Sequence, residues 1–300
     1  MNTKDMKVVS YAASAAIAAL ATFATFAAER LELNGAGGSF PAPLYQKWCY
    51  AYTQSGEGAK VNYQSVGSSA GISQIKAGTV DFGGTDAPLT EKQCEEAGLE
   101  QFHMVSGAVV PVVNLPSVPD GKLVLDGATL ADIYLGKITR WNDARLAALN
   151  PGLKLPDLKI TVVHRGDGSG TTHIFTTYLS KVSPEWKERY GVAKQLKWPC
   201  GIAGQKNPGV CNNVARIKGA IGYTEYTFAL ESKLNVAKIN IGGKIEVPTV
   251  QSWPIIGKTY ILVRKDTPAV KRAALNAYFD WCFKHGGETA KKLYYIPVAK

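Results

Sequence analysis

Apolar positions along the chain fall into two alternating kinds of run. PAPLYQKWCYAYTQ sets Leu44, Trp48 and Tyr52 at helical spacing, SSAGISQIKAG reads as a short helix, and ATLADIYLGKI and TTHIFTTYLSKV repeat the helical pattern. Between them, KVNYQSV alternates and is β-branched, while ITVVHR, AIGYTEY and TYILVRK read as strands. GAVVPVVNL is a continuous apolar run, the mark of a buried strand, and ELNGAGGSF and TVDFGGTD each run from strand into loop. Near the end, Val270, Ala274, Ala277 and Trp281 place an apolar stripe on one helix, which also carries Cys282 as a buried thiol. Strands alternating with helices predict an α/β architecture. No repeat and no flexible linker divides the chain. Two lobes built from discontinuous segments and joined by crossing strands explain that, with 107–114 and 259–264 as the candidate crossings.

The first residues change the picture. MNTKDMK is basic, and VVSYAASAAIAALATFATFAA is small and apolar, ending in alanines before Glu29. This is the pattern of a cleaved secretory signal peptide. Cys49 is the first cysteine and lies well past it, so a lipid-modified cysteine at the cleavage point is not expected. No later stretch is long and apolar enough to span a membrane. Export alters the reading of the five cysteines. Cys200 and Cys211 flank the Gly-rich CGIAGQKNPGVC, which is able to close into a disulfide in an oxidising compartment. Their spacing fits no zinc motif, H-E-x-x-H is absent, and no carboxylate-rich cluster suggests a metal. No cofactor is expected.

The formal net charge is +10. Such a balance suits nucleic acid, an anionic surface or small anions. Without a Lys/Arg tract or aromatic-basic interleaving, nucleic acid is not the expected partner.

HRGDGSGTTHIFTTYLS draws attention to small anions. Ser169, Gly170 and Thr171 follow a strand and open a helix, where unpaired amides and the helix dipole favour negative charge. Arg165 adds a charged fork. GGSFPAP places Ser39 and Phe40 before another helix, and VGSSAGIS places Ser68 and Ser69 before a third. Each turn alone is also what ordinary helix capping would use. Together they can converge on one ligand at the carboxyl ends of strands. Asp86, in DFGGTDAPL, would then accept a hydrogen bond from a protonated oxyanion and repel a fully ionised one, selecting phosphate over sulfate. Asp167 is placed to orient Arg165.

Other motifs fit less well. GDGSGTT lacks the P-loop lysine, and Asp167 occupies a glycine position of G-x-S-x-G. A hydrolase using Ser169 with His164 or His173 remains a rival reading, as does an adhesin using Arg165-Gly166-Asp167.

At these residues the chain resembles the periplasmic phosphate-binding proteins of bacterial ABC phosphate importers, the PstS family. The resemblance rests on GAGGSFPAPLYQKW, VNYQSVGSSAGISQIKAGTVDFGGTDAPL, LVLDGATLADIYLGKITRWND, LNPGLKLP, RGDGSGTTHIFTTYL, GAIGYTEY and YFDWCFK, spread over most of the chain. It implies a two-lobed α/β periplasmic-binding-protein fold with crossing hinge strands and a ligand cleft between the lobes. By motif position, Ser39, Phe40, Ser68, Asp86, Arg165, Ser169, Gly170 and Thr171 would hold inorganic phosphate, with Asp167 bracing Arg165. Ser39 stands where a threonine is common, and the hydroxyl is kept. The expected layout is a signal peptide over 1–28, a first lobe from 29–111 and 258–300, and a second lobe from 112–257. The expected function is a monomeric, non-enzymatic periplasmic receptor that delivers phosphate to ABC permease membrane subunits. A receptor for another oxyanion and a secreted phosphatase-like hydrolase are the alternatives.

Overall fold

The computed structural model describes residues 30–56, 58–248 and 252–298. The signal peptide expected over 1–28 lies outside them. The strands in chain order are β1 (Glu32–Gly37), β2 (Lys60–Ser65), β3 (Phe82–Thr85), β4 (Leu99–Val113), β5 (Val124–Asp126), β6 (Thr161–Arg165), β7 (Ile202–Gly204), β8 (Ala220–Glu225), β9 (Asn235–Val236), β10 (Lys238–Ile241), β11 (Lys244–Glu246), β12 (Ile256–Arg264) and β13 (Ile296–Pro297). The helices are α1 (Ala42–Ser55), α2 (Ser68–Lys76), α3 (Glu91–Glu96), α4 (Gly127–Tyr134), α5 (Ala144–Leu149), α6 (Gly170–Val182), α7 (Pro184–Arg189), α8 (Lys206–Arg216), α9 (Tyr226–Glu231), α10 (Ala269–His285) and α11 (Gly287–Lys292).

Most strands join one sheet in the order β2-β1-β3-β12-β4-β8-β6-β7, with β9 and β13 also pairing β4. A smaller sheet runs β11-β10-β5. β4 is the shared member. Its first part, Leu99–Ala108, pairs antiparallel with β12, and Val109–Val113 pairs antiparallel with β8. The fold is therefore two-lobed, with the lobes meeting inside a strand rather than at a loop. The apolar run at 107–114 does cross. The run at 259–264 does not, because it pairs with β3 and the early part of β4 within the first lobe. The return passage comes just before it, where Val109 N donates to Ile255 O at 2.9 Å.

Each lobe packs aromatic side chains against its part of the sheet. In the first, Phe82 stacks on Tyr63 and meets Phe279 edge-on at 5.4 Å. In the second, Phe175 of α6 lies flat on Tyr223 of β8, with centroids 4.3 Å apart, and Tyr134 of α4 closes on Phe175. The buried face of α6, Ile174, Phe175, Tyr178 and Leu179, follows the helical period of its sequence.

Two expectations need correction. The buried face of α10 is Leu275, Tyr278, Phe279 and Cys282, whereas Val270 is 72% exposed. Ala274 and Trp281 of the expected stripe do pack against the core, but Val270 and Ala277 are exposed, and the face is centred on the aromatic residues that fill the space against α1. Nor do Cys200 and Cys211 form a disulfide, since all five cysteines are free thiols. Cys211 is buried inside α8 with its Sγ 3.5 Å from Thr224 Oγ1, and Cys200 lies against the carbonyls of Ile133 and Tyr134. The segment between them is not a loop that closes on itself but a short strand followed by a helix.

Candidate functional site

β1, β2 and β3 run parallel to one another, as do β6 and β7, and the two sets run towards each other, each strand followed in the chain by a helix. Ser39 precedes α1, Ser68 begins α2, Asp86 follows β3, and Arg165 ends β6 ahead of α6. Ser39, Phe40, Ser68, Asp86, Arg165, Ser169 and Thr171 are all buried.

Ser68 and Asp86 form the centre of the cluster. The Ser68 hydroxyl donates to Asp86 Oδ2 at 3.3 Å, and its Oγ accepts from the amides of Asp86 (3.3 Å) and Gly170 (3.2 Å). That last bond ties the start of α6, in the second lobe, to the start of α2, in the first. A second tie runs from Ser69 N to Gly168 O at 3.0 Å. Asp86 is 2% exposed and its Oδ1 has no hydrogen-bond partner. Burial pushes its carboxyl up to about 7, a rise only partly offset by the Thr259 hydroxyl, the Arg165 charge and Ser68. A buried, half-satisfied carboxylate is costly unless a ligand completes it.

Arg165, 3% exposed, is held from both sides. Its Nε donates to Asp167 Oδ1 at 2.8 Å and its Nη2 to Asp167 Oδ2 at 2.5 Å, a bidentate pair that fixes the guanidinium plane. Burial pushes Asp167 up, but Arg165 and the Lys206 amide outweigh it and hold the carboxyl below its ordinary value. The guanidinium keeps donors to spare. Ser169 acts as the helix cap, accepting from Thr172 N at 3.0 Å, which leaves its own hydrogen free to donate. The Phe40 ring points away into the core, edge-on to Tyr295.

One residue of the cluster escaped the sequence reading. Asn207, fully buried, opens α8 after β7. Its Oδ1 accepts from Arg165 Nη1 at 3.4 Å, its Nδ2 donates to Thr171 Oγ1 at 3.4 Å, and its amide donates to Ser39 Oγ at 3.2 Å. The signal was present as a polar Lys-Asn-Pro turn between a strand and a helix, hidden inside the segment taken for a disulfide loop.

Another buried carboxyl lies behind the Ser39–Phe40 turn. Glu225 ends β8 and caps α9, with Oε1 accepting from Thr227 N at 2.9 Å and from Thr227 Oγ1 at 3.0 Å. Its Oε2 makes no close hydrogen bond, and the nearby Tyr295 hydroxyl, which donates to Phe40 O at 2.7 Å, acts on it only weakly. Burial pushes Glu225 up to about 8 from an ordinary 4.5, and its bonds to Thr227 and Tyr295 offset only part of the rise. The folded chain thus keeps a proton that the unfolded chain has already released. Stability is full below the ordinary value and is lost as pH rises through about 8. The melting temperature of the ligand-free protein should therefore fall between about pH 5 and about pH 8. Glu225→Gln should flatten that slope, leaving the smaller part due to Asp86. An unchanged slope would place the effect elsewhere.

The rival motifs do not assemble. His164 stacks on Trp198 with its Nδ1 3.1 Å from Arg165 O, and among the hydrogen bonds described neither its ring nor that of His173 reaches the Ser169 hydroxyl. The Arg165-Gly166-Asp167 tripeptide is paired with itself and its arginine is buried, so it presents nothing to an external receptor. Among the described residues no group of His, Cys, Asp and Glu is arranged to hold a metal ion.

Polar helix starts converging between two lobes on one shared sheet define a solute-binding protein of the periplasmic type, and residues 13–285 match the PBP superfamily domain. The phosphate-binding protein PstS of Xylella fastidiosa is 44% identical over 298 residues, covering 89% of this chain and 82% of that protein. PstS of Haemophilus influenzae is 42% identical over 302 residues, covering 90% of each. The chain belongs to the PstS family of phosphate-binding proteins. Among solved structures, a phosphate-binding protein of Stenotrophomonas maltophilia shares the fold with a TM-score of 0.68 at 18% identity, over 90% of this chain and 91% of that one. A high-affinity periplasmic phosphate-binding protein solved with phosphate gives 0.72 at 18% identity, over 89% and 91%.

Proposed function

We propose that the protein captures inorganic phosphate between its lobes, outside the cytoplasm, and delivers it to the membrane subunits of an ABC permease, acting as a monomer after removal of residues 1–28. It is a receptor and not an enzyme. In this reading the hydroxyls of Ser39, Ser68, Ser169 and Thr171, the amides of Phe40 and Gly170, and the Arg165 guanidinium donate to the anion. Asp167 braces Arg165, Asn207 joins the two sides, and Asp86 accepts the proton that phosphate retains. The lobes in this reading are 29–111 with 258–300, and 112–257. The switch of β4 from one partner strand to the other at Ala108–Val109 supports that division.

The observation that carries the reading is Asp86: a buried carboxyl with an unpartnered oxygen among donors. Protonated, it can donate even to sulfate. Ionised, it demands a proton from the ligand, which phosphate supplies and sulfate does not. Calorimetric titration of phosphate and sulfate, after stripping bound ligand by unfolding and refolding, tests this. Preference for phosphate should widen as pH rises through about 7. Asp86→Asn should narrow it by roughly tenfold or more, the worth of ~1.4 kcal/mol, and leave only the pH dependence that comes from phosphate's own ionisation. Equal discrimination in parent and variant would remove Asp86 from this role.

A further inference from the structure

We infer that Lys206 is an interlobe latch, a side chain of the second lobe whose hydrogen bond to the Ser65 carbonyl of the first lobe slows release of the bound anion. The inference rests on the phosphate-receptor reading and assigns a residue that governs how long the ligand is held.

The backbone makes the first argument. Lys206 has a φ of 57°, in the left-handed region that residues with side chains rarely adopt. Glycine would enter this conformation without cost, so a lysine here is tolerated only where its surroundings over-determine it. They do so on both sides. The Lys206 amide donates to Asp167 Oδ1 at 3.0 Å, and the next amide, of Asn207, donates to Ser39 Oγ at 3.2 Å. None of those bonds needs a side chain at position 206.

The side chain itself makes the second argument. Lys206 Nζ donates to Ser65 O at 2.9 Å, across the sequence from the start of α8 to the end of β2. Its acceptor is well anchored, since the two amides after it, of Val66 and Gly67, both donate to Gly37 O at 2.9 and 2.8 Å. Lys206 makes no ion pair among the described residues, so its charge is spent on a neutral carbonyl in the opposite lobe. Ser65 and Pro208 also line a surface cleft of ≈ 560 Å³, with Gln46, Lys47 and Tyr50, placing the contact at the cleft's edge rather than inside the anion cluster. The bond exists only while the lobes are together. It therefore favours the closed arrangement and acts on the rate of opening.

The test compares the full mature protein with Lys206→Gly, which removes the side chain while relieving the backbone, and with Lys206→Ala, which removes the side chain and keeps the strain. Phosphate release is followed by stopped-flow with an excess of competing binder, and interlobe spacing without ligand by small-angle scattering. Both variants should release phosphate roughly two- to tenfold faster than the parent, the range for loss of one ordinary hydrogen bond at a partly exposed site. Lys206→Gly should melt no lower than Lys206→Ala. Parent-like release in Lys206→Gly overturns the latch while leaving the receptor reading intact. If the parent itself binds no phosphate, the receptor reading fails separately, and the latch is then judged by scattering. A larger radius of gyration in both variants supports it, and an unchanged one overturns it.

Discussion

Arg165→Ala is expected to weaken phosphate binding by roughly ten- to hundredfold, since a hydrogen bond to a charged group contributes about 1.5 to 3 kcal/mol. Two consequences of the substitution weaken binding, and a third bears on selectivity. The anion loses its one buried cationic donor within the described cluster. Asp167 loses both ends of its bidentate pair and keeps only the Lys206 amide among the bonds described, so it becomes an incompletely compensated negative charge beside an anion site. Asp86 loses a charge that holds its carboxyl down, so it binds its proton more tightly. Calorimetry on a stripped and refolded variant would measure the loss. Full affinity would mean that the guanidinium serves only Asp167 and Asn207. Arg165→Lys should recover part of the charge but not the planar fork, and should fall between the two.

Gly170→Ala should be nearly as damaging, for a steric reason that runs against local propensity. Alanine at the first position of a helix is normally better than glycine, by up to ~1 kcal/mol in a helix interior. Here an added Cβ would lie 2.4 Å from Asp86 Oδ2 and 2.5 Å from Ser68 Oγ. These atoms are buried and hydrogen-bonded, so neither can simply turn aside. The start of α6 would have to move off the start of α2, and with it the contact between the lobes. Overpacking of this kind costs about 1 to 3 kcal/mol. The variant should therefore lose at least roughly fivefold in phosphate affinity, with only a small change in far-ultraviolet circular dichroism. Parent-like affinity would show that the lobes sit further apart around this point than their present contact indicates.

What the sequence revealed, and what it hid, follow from the physics of each signal. The three serine-bearing turns were legible because each combines glycine, a short hydroxyl and the onset of a helical period. Asp86 and Arg165 were legible because they sit at strand ends. Asn207 was not, because Cys200 and Cys211 frame it and two cysteines offer a simpler story than one buried asparagine. Only the environment of those thiols, one packed under Thr224 and the other against α4, decides between them. Glu225, within GAIGYTEY, carries no sign of its burial, since a carboxylate at a strand end is ordinarily exposed. The hairpin of β10 and β11 was missed altogether. Its strands are only four and three residues long, too short for alternation to register, and its turn rests on Gly242 and Gly243 at φ 58° and 94°. Likewise, the face that α10 buries depends on what α1 leaves unfilled, which no single helix sequence states.

The strand shared by both lobes has a consequence for how the chain comes into being. β4 is synthesised early, yet its neighbours are β8, from 220–225, and β12, from 256–264. Its backbone cannot be paired along its whole length until nearly the whole polypeptide has been made. Pairings between such distant segments also form slowly, because loop closure must precede any gain from contact. A nascent chain of this design therefore completes its central sheet only late. On the proposed route out of the cytoplasm, that delay would keep the chain extended while it is threaded through a membrane channel.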